Sequence, residues 1–355
     1  SSVSMSGGTL DVDKTLTLSG ALTQSGDIEI DVKAGEVLTY SGAAVSLGAN
    51  TLTLSGGGTL GNTNAIKLDN ATSKLLLNSI TLGSASTSSD SLGLDVNADS
   101  TVTSLMVGHI TPVSIAASKS LTGAITVSAG SLKLNEAGTL ASTIAMSGGT
   151  LDADETSTVS GTLSHSADIA IDVATGKTLS YSGAAVNLDN STLTLSGGGT
   201  LGNTNALVLN NANSKLLLNS ITLGSVSTSA NSSGLDVDAD STVTSLTVGH
   251  ITPVSIASGK TLSGGITVTA GSIKLDEAGT LVSSVSMSGG TLDVDNSSTV
   301  SGTLTQSGDI AIDVASGKTL TYSGAAVNLG AKTMTLSGGG TLGNTNALVL
   351  NNANS

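Results

Sequence analysis

The chain has 355 residues with 45 Gly, 2 Pro and 3 Tyr, no Cys, Trp or Phe, and a net charge of −14 that sets 26 acids against 12 basic residues, all of them Lys. Without Cys there is no disulfide scaffold, thiolate metal site or thiol nucleophile, and without Arg an acidic chain offers little to a nucleic-acid partner. Hydrophobic residues make up 38%, enough to fold around, but they come in runs too short for a membrane-spanning helix, so no membrane span is expected.

In chain order, short alternating segments follow one another, separated by Gly, Ser and Asn. They are TLTLSG at Thr15, VLTYSG at Val37, TLTLSGGG at Thr51, KLLLNSITLG at Lys74, TVTSLMVG at Thr101, SLTGAITVSAG at Ser120 and TLASTIAMSGG at Thr139. Runs with period-two alternation are strands, and the starts recur about every twenty residues. No stretch keeps a 3.6-residue period with caps, so helices are not expected.

The same series then repeats. MSGGTLDVD at Met5 returns as MSGGTLDAD at Met146 and MSGGTLDVD at Met287, 141 residues apart each time, and Tyr40, Tyr181 and Tyr322 keep the same step. The sequence units are 1–141, 142–282 and an incomplete 283–355. Such strands could build either antiparallel sandwiches or a parallel solenoid. Three features favour the solenoid: an aliphatic content suited to a thin interior, no Asn-Gly or Asp-Gly hairpin signals, and tandem units joined without linkers. The expected fold is all-β, one continuous parallel β-solenoid over 1–355 with coils of about twenty residues, rising about 34 Å per unit.

The phrases SGGTL, LTLSGGGTLGN and LTGAITVSAGSLKL recur through the chain. In these it resembles the parallel β-helical stalks of bacterial surface adhesins, the filamentous-haemagglutinin-like exoproteins and autotransporter passenger domains. The resemblance implies secretion and a place at the cell surface or in a biofilm matrix, with adhesive contact to glycans or cells. Ser1 falls inside a repeat, and Ser355 matches Ser73 and Ser214, each followed by KLLLNSITL. The expectation is therefore a longer array, or a head-to-tail polymer in which another copy completes the ends.

Among candidate site residues, the acids come first. Asp11 and Asp13, with Asp152 and Asp154 and with Asp293 and Asp295, alternate as on one outward strand face, and so do Asp27 and Asp31 and their counterparts Asp168, Asp172, Asp309 and Asp313. Asp95, Asn97 and Asp99 answer Asp236, Asp238 and Asp240, a spacing like the start of a calcium loop without its Gly and distal Glu. Asp95, Asp99, Asp236, Asp238 and Asp240 are thus the Ca²⁺ candidates, and the competing reading is a solvated acidic face. No other cofactor is expected.

His109 and His250 precede Pro112 and Pro253, which suggests turns before an irregular edge, while His165 replaces Gln24 and Gln306 as a surface substitution. The three Tyr are expected at the core's edge with hydroxyls in water. Thr-x-Thr pairs such as Thr51/Thr53 and Thr101/Thr103 could order water as ice-binding solenoids do, but the coils near Val37, Lys74 and Thr139 lack them. The sequons at Asn70, Asn190, Asn231 and Asn296 sit at different points of the unit and read as chance. A β-helical polysaccharide enzyme would need an acid pair in a basic or aromatic groove, and near-identical units disfavour a single active site. The sequence points to a structural fibre or stalk rather than an enzyme, with a calcium- or glycan-binding adhesin as the alternative.

Overall fold

A computed structural model describes residues 2–353; Ser1 and Ser355, on which the expectation about the ends rested, lie outside the described residues. The chain divides into two compact units, Ser1–Ala184 and Ala185–Ser355, and each is an all-β parallel solenoid without helix among the described residues. Alternation explains the strands. In Thr51–Ser55 and Lys74–Asn78 every second residue is buried, and the alternate residues are Thr, Ser, Lys, Leu and Asn on the outer side.

Successive coils pair in parallel and in register, which stacks like on like. Leu52, Leu75, Leu94 and Val113 form one inward column, and Leu54, Leu77, Val96 and Ile115 form the next. All eight side chains are buried, at 2% exposure or less. At roughly 1.5–3 kcal/mol for each fully buried aliphatic side chain, such columns dominate the stability of a thin rung. Offsets between aligned partners vary from 19 residues (Leu75 with Leu94) to 24 (Ile28 with Leu52). The variation arises because some coils use three short strands and others two long ones. Ile28–Val32, Val37–Tyr40 and Val45–Ser46 make a three-strand coil, whereas Gly93–Ala98 and Ser100–Val107 make a two-strand coil.

In the first unit one sheet runs from Thr9–Val12 through Ile28–Val32, Thr51–Ser55, Lys74–Asn78 and onward to Ile169–Val173. A second runs from Leu16–Leu18 through Val37–Tyr40, Thr59–Asn62 and Thr81–Thr87 to Thr178–Tyr181. β-turns join them. Lys119 N–H donates to the Ala116 carbonyl at 2.9 Å, as Lys260 does to Ala257 and Lys177 to Ala174. The third turn residue lies in the left-handed region: Gly176 at φ 74°, Gly259 at φ 73°, but Ser118 at φ 63°.

Two expectations are corrected. Pro112 is not on an edge: Thr111–Ile115 pairs on both sides, through Leu94 with Val113 and through Pro112 with Lys133. The preceding coil accommodates it at Gly93, φ 81°, where an added Cβ would meet the Pro112 carbonyl oxygen at 1.9 Å. The tyrosine hydroxyls are not in water either. Tyr40, Tyr181 and Tyr322 are only 2%, 4% and 3% exposed. Each hydroxyl accepts a backbone N–H from the previous coil, such as Leu22 N at 3.1 Å, and donates to a carbonyl three residues on, such as Ala43 O at 2.7 Å. A corner that leaves both groups without a backbone partner needs one side chain that can donate and accept, and the phenol does both.

Candidate functional site: two unlike faces

Charge is divided between the sheets. The first sheet carries Asp11, Glu29, Asp31, Lys74, Asp95, Lys133, Asp152 and Asp172 in one unit, and Lys215, Asp236, Lys274, Asp293 and Asp313 in the other. Among the described strands of the second sheet and its short extensions, Lys67 is the only Asp, Glu or Lys.

On the charged face, register stacks acid on acid. Asp11 aligns with Asp31, Asp152 with Asp172, and Asp293 with Asp313. Lysines of the preceding rung moderate the later pairs. Lys133 Nζ lies 3.2 Å from Asp152 and 3.0 Å from Asp154, and Lys274 contacts Asp293 at 3.7 Å and also Asp295. Burial pushes the Asp152 carboxyl above the ordinary aspartate value of 3.8 despite Lys133. Asp293 rises first through burial and then through Asp295, and Asp276 rises through burial as well. The hydrogen bond to Asp154 raises Lys133, and the one to Asp295 raises Lys274. Elsewhere Glu36 accepts from Thr15 N and Oγ1 at 2.6 and 2.7 Å, and those bonds hold its carboxyl below the usual range.

The structure sends the calcium candidates to separate tasks. Asp95 pairs with Lys74 and Asp236 with Lys215, each at 2.5 Å. Asp99 accepts from Ser120 N at 2.8 Å and from its hydroxyl at 3.0 Å, and Asp240 repeats this with Thr261. Asp238 is exposed. No group of three or more His, Asp or Glu close enough to hold a metal ion occurs among the described residues. Asp27 and Asp309 likewise cap the next coil, on Thr51 N at 2.7 Å and Thr333 N at 2.8 Å.

His109 has a carboxylate neighbour that local sequence does not reveal: Asp90, from the previous coil, lies 3.8 Å from its Nδ1. The second unit has Asn231 at that position, whose Oδ1 takes the same backbone bond, from Ile251 N, that Asp90 takes from Ile110 N. His165 is half-buried and its Nδ1 lies 3.3 Å from Ala167 O, whereas Gln24 and Gln306 reach the next coil at Leu47 O and Leu329 O.

On the other face, outward hydroxyls line up in single file. Thr59, Thr81, Thr101 and Thr122 occupy four successive rungs, as do Thr200, Thr222, Thr242 and Ser263. Thr101 and Thr122 are hydrogen-bonded hydroxyl to hydroxyl at 2.6 Å, and Thr242 and Ser263 at 2.7 Å. Thr-x-Thr spacing within a strand misses this column, because its members are 20 to 22 residues apart. Beside it Asn62, 5% exposed, bonds Gly83 N, Ser84 N and Ser84 O, and Asn203 repeats the arrangement. No family model, no curated protein and no solved structure matches this chain.

Proposed function

We propose that the chain is a load-bearing segment of a secreted fibre or adhesin stalk at a cell surface, with no catalytic role. The observation that supports this is the use to which polar side chains are put. At equivalent positions of successive 141-residue repeats, they bind the neighbouring coil: Tyr40 and Tyr181, Asn62 and Asn203, Asp99 and Asp240. Ser73, fully buried, donates to Gly48 O at 2.6 Å, and Ser214 donates to Asp189 O at 2.7 Å. A pull along the stack would load these bonds together with the backbone ladder, and neighbour coupling opposes opening of any single rung. Copies of the chain, or further repeats, are the natural partners in such a fibre. Electron microscopy of native material labelled for this chain tests the reading. Filaments with an axial repeat near 34 Å support it, and compact isolated particles overturn it.

A further inference from the structure

The division of charge says where a second solenoid can approach. With a net charge of −14, two copies meeting on their acid-stacked sheets bring Asp11, Asp31, Asp152 and Asp172 against their equivalents. Two copies meeting on their second sheets keep those acids on the far sides. A solenoid core is about 10 Å thick, so the two charged sheets would stand more than about 20 Å apart, against a Debye length of about 8 Å at physiological salt. Repulsion between those strand acids is then largely screened, and Asp99, beside Thr101 and Thr122, is an acid that stays near the contact, bonded to Ser120.

We propose that the hydroxyl-bearing sheet is a lateral docking surface for a second copy of this chain, paired neutral face to neutral face. Matching periods support that partner. Both copies present one hydroxyl per rung, at the same strand spacing of about 4.8 Å, so every rung of one meets a rung of the other without drift. The face also carries Met106, 55% exposed between buried Leu105 and Val107, whose apolar surface a partner would cover. A neutral polysaccharide lacks the matching period, and the surface offers it no ring to stack on, since Tyr40 and Tyr181 are buried.

Size sets the strength. Four rungs with strands of up to 8 residues give roughly 500 Å² per partner in one unit. That falls short of the ~800 Å² per partner of a standard stable interface. Pairing through one unit is therefore weak, and it strengthens as more rungs engage. The inference does not depend on the fibre reading, because it concerns the 355-residue chain in solution.

Sedimentation velocity over a concentration series tests it on three proteins: the unaltered chain, the triple variant Thr81→Lys/Thr101→Lys/Thr122→Lys, and the control Thr53→Lys/Ser55→Lys/Ser114→Lys. Both variants gain the same charge, one on each sheet. The expected result is a reversible dimer weakened at least about tenfold by the first set and not weakened by the control. The chain has no Cys, so a second measurement does not depend on the triple variant folding. Thr101→Cys treated with a short bismaleimide should yield doubled mass, and Ser114→Cys should not. A chain that stays monomeric throughout, equal weakening by both lysine sets, or cross-linking through Ser114→Cys as efficient as through Thr101→Cys would overturn the proposal.

Discussion

Within each unit the two long sheets share an interior and differ on the outside. Inward, Leu77 of the first sheet and Leu82 of the second are equally buried. Outward, one sheet stacks carboxylates under lysines and the other stacks hydroxyls with a single lysine. Inward positions need only fit an aliphatic column, so both sheets fill them alike, and whatever distinguishes the faces is written in the alternate residues.

The interior half of that contrast is tested by truncation. Leu77→Ala and Leu82→Ala should each destabilise by about 2–5 kcal/mol, and by similar amounts, as read from denaturant unfolding. A large cost at one and almost none at the other would show that the sheets do not share one core. The second sheet has one interior feature of its own, the tyrosine plug. Tyr40→Phe keeps the ring but leaves Leu22 N–H and Ala43 C=O without their partner, at a cost of about 1–3 kcal/mol. Unchanged stability would mean that water reaches that corner.

The exterior contrast is sharpened by pH. Asp152, Asp276 and Asp293 are raised above 3.8 in the fold, so the folded chain binds those protons more tightly than the unfolded one. Stability from these groups therefore increases as pH falls from neutrality through their folded values, and the gain is complete below 3.8. Glu36, held low, acts in the opposite sense: its contribution is present above 4.5 and lost as pH falls through its folded value. A Tm that rises on mild acidification, with a smaller rise in Asp276→Asn, is expected. Asn135 already holds that position in the first unit. Added Ca²⁺ should leave Tm unchanged, because Asp95 and Asp99 are committed to Lys74 and Ser120; a saturable increase would contradict those assignments.

The smallest effect sits at the turn joining the two sheets. Ser118 and Gly259 occupy equivalent left-handed positions, so Ser118→Gly should stabilise by about 0.5 kcal/mol and Gly259→Ser should cost a similar amount. Calorimetry of the two single variants reads both signs.

The sequence carried the architecture well, because the signals that build it are local or strictly repeated. Alternation in TLTLS and KLLLN marks which residues point inward, and the step from Met5 to Met146 marks the unit. The site was less legible. Lys133 meets Asp152 and Asp90 meets His109 only because successive coils are stacked, and offsets that vary from 19 to 24 residues leave no short-range pattern. The division of charge was hidden for the same reason: strands of the two sheets alternate along the chain, so the faces mix in sequence and separate only when coiled. The tyrosine hydroxyls were misplaced because a ring at a strand end resembles an edge residue until the backbone groups it completes are known.

Parallel stacking underlies all of this, and proton NMR on a protonated chain selectively labelled with ¹³C and ¹⁵N tests it most directly. Leu52, Leu75 and Leu94 should show sequential cross-strand contacts in parallel register, without the short Hα–Hα contacts of opposed strands. Strong Hα–Hα contacts between neighbouring segments such as Thr51–Ser55 and Thr59–Asn62 would instead reveal antiparallel hairpins and contradict the stacked coil.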